Sequence, residues 1–175
     1  MLRAVAFTAF CGSLGLPAQV KFIPLEQRTL TMPVKDMRLA DVRDTFDQGR
    51  SADRRHNATD ILAARGTPVL AVEDGQIKNL FFSKDGGITI YQFDPSEHYC
   101  YYYAHLDRYA DGLKNGAHVR KGEVIGYVGT TGNAPPGTPH LHFGITLVGL
   151  DKRWWGGVPI NPYPILRASY MRLHP

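Results

Sequence analysis

The chain has 175 residues, 43% hydrophobic and 21% charged, which is enough for one globular domain with a real core and too apolar for general disorder. Its net charge of +4 suits a polyanionic surface but is too small to argue for nucleic acid, and no run is long and apolar enough to read as a membrane span. With 18 glycines, 12 prolines and abundant Tyr, Phe, Val and Ile, short strands joined by turns are favoured over a helical bundle.

Arg3, the apolar residues 4–10 and a small-residue stretch ending at Ala18 have the layout of an export signal over residues 1–18. Export to the periplasm or the extracellular cell wall is therefore expected. Removing that segment removes Cys11 and leaves Cys100 alone, so an internal disulfide is excluded and thiol chemistry has little support. In its Tyr-rich apolar setting Cys100 reads as a small core residue. Residues 19–43 form an N-terminal arm, with a short edge strand expected over 20–25 because Pro24 keeps it from a sheet centre. One or two amphipathic turns are expected within 36–45, and the polar stretch 45–55 is a surface loop leading to His56.

From Thr67 the strand signals are dense, with strands expected over 67–72, 76–82, 88–93, 98–106, 117–119 and 124–129. Turns separate them at Glu73-Asp74-Gly75, which carries the Asp-Gly hairpin signal, and at Lys84-Asp85-Gly86-Gly87, Asp94-Pro95-Ser96-Glu97 and Lys121-Gly122-Glu123. The loop 130–139 leads into a last strand holding His140 and His142. Short links without intervening helices imply a mostly β, antiparallel fold with few or no helices. Trp154-Trp155 and the Asn161-Pro162-Tyr163-Pro164 stretch read as loop-like, with the tryptophans capping a core rather than lining a groove.

In an extended strand His140 and His142 share a face, with Leu141 and Phe143 on the other. Two adjacent imidazoles make poor core, because each ring nitrogen needs a partner when buried. Upstream, His56 and Asp60 are close enough in sequence to reach one ion, and one of His140 and His142 would supply a third ligand. Catalytic zinc sites offer three protein ligands and an open position, and this donor set suits zinc, though iron, manganese and cobalt accept it too. The remaining histidine and His105 are then free to serve as general base and as donor to a developing oxyanion. No His-Glu-x-x-His helix motif supplies a carboxylate base.

His56-x-x-x-Asp60, then Tyr103-Ala104-His105-Leu106, then His140-Leu141-His142, in this order, resembles the LytM/lysostaphin-type zinc metallopeptidases, which cut peptide bonds in bacterial peptidoglycan. The likeness runs from about residue 44 to 164 and includes Arg65-Gly66-Thr67-Pro68-Val69, Asp74-Gly75, Ile125-Gly126, Thr131-Gly132 and Asn161-Pro162. It implies a compact antiparallel sheet lining a narrow groove, and a metallopeptidase domain over 44–165 followed by a tail over 166–175. By the same resemblance one zinc ion is held by His56, Asp60 and His142, while His105 and His140 are catalytic and peptidoglycan is the substrate. Ala58 stands where the family usually has Gly; a positive φ there would cost about 1–2 kcal/mol. The alternative is a non-catalytic LytM-like cell-wall module regulating another hydrolase, although such members have lost some of the five residues present here. Half-motifs of a biotinyl or lipoyl carrier also occur, but the modifiable Met-Lys-Met tip does not.

Overall fold

The computed structural model describes residues 22–49 and 55–175, so the export signal expected over 1–18 lies outside the described residues. The described chain forms one antiparallel sheet of nine strands. They are β1 (Thr59–Leu62), β2 (Pro68–Leu70), β3 (Gly75–Ser83), β4 (Gly87–Phe93), β5 (Tyr99–Tyr109), β6 (His118–Val119), β7 (Val124–Val128), β8 (His140–Leu147) and β9 (Val158–Ile160). The order is β1-β8-β5-β4-β3-β6, with β9 added to β8 and β7 joining β5 to β2.

Strand β5 organises the sheet because its two halves take different partners. Residues Tyr99 to Ala104 pair with β8, whereas Leu106 to Tyr109 pair with β7. Alternation sends Tyr101 and Tyr103 to the core, opposite Ile145 and Phe143, and sends Tyr102 and Ala104 to the other face, opposite Gly144 and His142. Buried phenols need partners, and these have them. Tyr103 donates to Gln92 Oε1 at 2.9 Å and accepts from the Val72 N–H at 3.1 Å, while Tyr101 donates to Glu73 at 3.0 Å. Ile61, Leu141, Phe143 and Ile145 fill the same core, and burying side chains of this size contributes about 1.5–3 kcal/mol each.

The described part of the N-terminal arm is built into this core. Leu25, Leu30, Met32, Val34 and Val42 are all buried in it. Val34 bridges Val69, and the Leu70 N–H donates to Pro33 O at 2.9 Å. The edge strand expected over 20–25 is not what its described part forms: Pro24 opens a single 3-10 turn, Leu25–Gln27. A second 3-10 turn, Leu39–Asp41, falls where an amphipathic turn is expected.

Two further expectations are corrected. Glu73-Asp74-Gly75 is a turn but closes no hairpin, because β2 pairs with β7 and β3 pairs with β4 and β6. Gly75 is required there by a close approach, since a Cβ would collide with Phe93 O. At the C-terminus the chain is helical, α1 (Pro162–Leu173), where a loop and a tail are expected. Pro162 and Pro164 suggest a loop, but in a first turn the missing N–H groups have no intrahelical partner to lose. Asn161 caps the helix through Tyr163 N–H at 3.0 Å, and Ile165, Leu166 and Ser169 are its buried face.

Candidate metal centre

Asp60 on β1 and His142 on β8 are direct cross-strand partners, and Ala104 of β5 completes the row. His56 enters from the loop before β1. Asn57 adopts φ 55, a left-handed conformation that Asn tolerates, and its N–H donates to Phe46 O at 3.0 Å. Ala58 is not among the residues with positive φ, so the strain considered for it does not arise. The turn therefore sits one residue earlier than expected.

The three donor atoms form a tight triangle. His56 Nε2 lies 2.9 Å from Asp60 Oδ1 and 3.0 Å from His142 Nδ1, and His142 Nδ1 lies 2.9 Å from Asp60 Oδ1. The other His56 nitrogen, Nδ1, is 2.8 Å from Thr45 O; a carbonyl only accepts, so Nδ1 carries the hydrogen. In the neutral ring Nε2 then offers a lone pair, aimed at a carboxylate and a second imidazole. Two or three lone pairs converging on one point need a proton or a cation between them. Tetrahedral zinc with bonds of about 2.0–2.1 Å sets its ligand atoms about 3.3 Å apart, a few tenths of an ångström wider than here. The donor set and spacing thus fit a divalent cation such as zinc. Burial opposes the Asp60 charge, yet His142 Nδ1 and His56 Nε2, which donate to it whenever those rings are protonated, hold its pKa well below the usual range.

His105 and His140 flank the triangle. Their ring centroids are 4.9 Å apart, and His105 is 5.6 Å from the His142 ring. Each is tethered as His56 is: His105 Nδ1 donates to Thr131 O at 2.8 Å and His140 Nδ1 to Thr138 O at 2.9 Å. Both rings therefore carry a fixed tautomer with Nε2 directed elsewhere, and His140 Nε2 lies 3.9 Å from Asp60 Oδ1. Burial pushes the His105 pKa down to about 4, against the opposing bond to Thr131, so its ring is neutral at pH 7.

Regular alternation would bury His105 beside Tyr103. Instead its φ is 60, and the pairing register of β5 slips at this point. Consecutive residues Ala104 and His105 both line the groove, while Leu106 returns to the core. The left-handed residue costs about 1–2 kcal/mol and turns the imidazole onto the metal face.

Sequence reasoning assigned no role to the three threonines that orient these rings. Thr45 binds His56 through its carbonyl and accepts the Asp60 N–H on Oγ1 at 3.0 Å. Thr131 Oγ1 donates to Leu106 O at 2.7 Å and accepts from the Ile88 N–H at 2.9 Å, clamping the loop that holds His105. Asn161 ties α1 to Asp44, next to Thr45, at 3.1 and 3.2 Å. Thr131 and Asn161 were marked only as part of the family likeness, and Thr45 and Thr138 only by their position in polar loops around the histidines.

The centre opens on a groove of about 340 Å³ whose walls include Arg55, Asp85, Tyr102, Asn133 and Pro135. Arg54 lies outside the described residues; Arg55 is solvated and pairs with Asp47 at 3.2 Å. His118 and His174 are exposed as expected, but His98 is half-buried against Phe22. Cys100 is buried, and burial pushes its thiol pKa up to about 12. Trp154 packs on Tyr91 and Phe81 outside the buried core, at ring separations of 4.5 and 5.4 Å. No described helix is long and apolar enough to cross a membrane.

A model of peptidase family M23 matches residues 54–162. The L-Ala–D-Glu endopeptidase of Bacillus subtilis is 38% identical over 126 residues, covering 69% of this chain and 37% of that protein. The peptidoglycan DD-endopeptidase ShyC of Vibrio cholerae is 33% identical over 99 residues, 57% of this chain and 22% of that one. The chain thus spans well under half the length of these relatives. Among solved structures, the antimicrobial peptidase lysostaphin of Staphylococcus simulans superposes with a TM-score of 0.61 at 26% identity, covering 74% of this chain and 50% of its own.

Proposed function

The chain belongs to peptidase family M23, and from that premise we propose that it is a zinc endopeptidase hydrolysing peptide bonds of bacterial peptidoglycan. The observation that carries this reading is the convergence of His56 Nε2, Asp60 Oδ1 and His142 Nδ1 to within 3.0 Å, with two tethered imidazoles beside them. His56, Asp60 and His142 would hold the ion. Zinc in such a site acts as a Lewis acid on the scissile carbonyl and makes a water molecule more acidic.

The chain's own residues supply the remaining work. His105 and His140, with Nδ1–H committed to Thr131 and Thr138, present Nε2 to the groove. A neutral Nε2 takes a proton from the attacking water, and the resulting N–H returns it to the leaving amine or donates to the oxyanion. Thr131 and Thr138 hold the rings in register, and the groove positions an extended peptide across the metal row. The substrate places the site of action outside the cytoplasm, in the periplasm or cell wall.

The test is mass spectrometry of purified peptidoglycan incubated with the zinc-loaded protein, beside a chelated control. New peptide-bond cleavages only with zinc are expected, and their masses identify the bond. No product and no bound zinc would instead favour the non-catalytic regulatory module, whereas zinc bound without product would point to a latent enzyme or a different substrate.

A further inference from the structure

A line of aromatic rings leaves the metal centre along the groove face of the sheet. Tyr102, which lines the groove, sits edge-on to His142 at 5.8 Å. Tyr91 is its cross-strand partner on β4, with ring centroids 4.7 Å apart. Trp154 stands on Tyr91 at 4.5 Å, and Trp155 on Trp154 at 4.9 Å. The track is open to water at its far end, where Trp155 is 50% exposed and Arg153 lies over its ring at 5.4 Å.

The core does not account for these rings, since neither tryptophan belongs to it. The loop carrying them is nonetheless seated firmly. Val148 N–H donates to His98 O at 2.8 Å, the Cys100 thiol lies 3.7 Å from Trp154 O, and a Cβ at Gly157 would strike Leu147 O. Rigid aromatic faces that stay in water lose little entropy when a ligand covers them, which makes them economical binding groups.

We propose that the track from Tyr102 to Trp155 is a glycan subsite, taking an N-acetylamino sugar ring of the peptidoglycan backbone while the attached peptide runs through the groove. This rests on the peptidoglycan reading above. A pyranose has an apolar C–H face that covers an aromatic ring and a polar edge that meets a cation, and Trp155 with Arg153 offers both. The sugar is joined to the N-terminal end of the stem peptide, so a track continuous with the peptide groove is where it would arrive. A purely peptide ligand gives no reason for two edge-to-face indoles with a guanidinium over the outer one.

Trp154 and Trp155 are the chain's two tryptophans, so intrinsic tryptophan emission reports on this site alone. The full chain is titrated with peptide-free glycan strands of alternating N-acetylglucosamine and N-acetylmuramic acid. A saturable change in emission is expected, with binding weakened about tenfold in Trp155→Ala, a loss of the size one aromatic contact carries. Trp154 remains to report in that variant, and unchanged far-UV circular dichroism establishes that it is folded. No change with glycan, an equal response in Trp155→Ala, or a response to free stem peptide alone would each overturn the assignment. Because the readout needs no turnover, glycan binding without hydrolysis removes the endopeptidase reading and leaves the subsite. Hydrolysis without glycan binding does the reverse.

Discussion

His105 owes its place at the site to its backbone. One left-handed residue in β5 moves an imidazole from the core to the groove, and the fold tolerates about 1–2 kcal/mol of strain for it. His142 needs no such device, because plain alternation and its partner Asp60 place it. The two histidines should therefore fail differently. His142→Ala is expected to lose both bound zinc and activity, since two ligands rarely hold the ion. His105→Ala is expected to keep stoichiometric zinc while turnover falls about 10²–10⁴-fold, the usual share of a positioned acid–base group. Metal content and cleavage rate measured on the same samples check the pair, and wild-type turnover in His105→Ala would remove its assigned role.

At the scale of elements, the site depends on loops that the sheet holds at both ends. Thr131 is the clearest case: one hydroxyl joins β4 to β5, and the same residue's carbonyl fixes the His105 tautomer. The following Gly132 adopts φ +75 and packs so closely on Asp85 O that a Cβ would collide with it. Thr131→Val keeps the shape and deletes the hydroxyl. It should cost about 1–3 kcal/mol for the Ile88 N–H and Leu106 carbonyl left without that partner, read by urea unfolding. Because His105 is anchored through this residue, the rate should fall while zinc content holds; Thr131→Ser should restore the rate. An unchanged rate in Thr131→Val would show that the loop is held without the hydroxyl.

Across the whole molecule, a buried polar cluster fastens the N-terminal segment to the sheet. Arg28 meets Glu73 at 2.5 Å and Asp94 at 2.9 Å, and Asp94 also accepts the N–H groups of His98 and Tyr99 at 2.7 Å. Burial opposes the Asp94 charge, but the Ser96 hydroxyl, the Tyr99 N–H and Arg28 hold its pKa below the usual range. A carboxyl depressed in the folded state contributes stability that is complete above its unfolded pKa, near 3.9, and is lost as pH falls through the folded value. Asp94→Asn should therefore be less stable than wild type by about 2–3 kcal/mol at pH 7, with the gap narrowing below about pH 4. Burial and, to a lesser extent, the Asp94 charge raise Glu73, which titrates in the opposite sense and so works against that gap rather than producing it. Urea unfolding at several pH values measures it, and a gap independent of pH would show that the Asp94 charge contributes nothing.

The strands β2 to β8 and the five chemical residues were legible in the chain because their information is local: alternation, turn residues, and histidines whose types and order carry chemistry. Helix α1 escaped notice because two prolines signal a break unless the first turn is known to begin there. The missing β2–β3 hairpin, the half-and-half pairing of β5 and the burial of residues 25–42 depend on which distant segments meet, and no window of sequence contains that. The same holds within the site. Residue types named His56 and Asp60 and left the third donor between His140 and His142, with His142 implied by the family resemblance. Only the tertiary structure brought Asp60 and His142 opposite each other, set His56 beside them, and turned His105 outward by one left-handed residue. Residue chemistry is written in the side chain; the direction a side chain faces is decided by everything packed around its backbone.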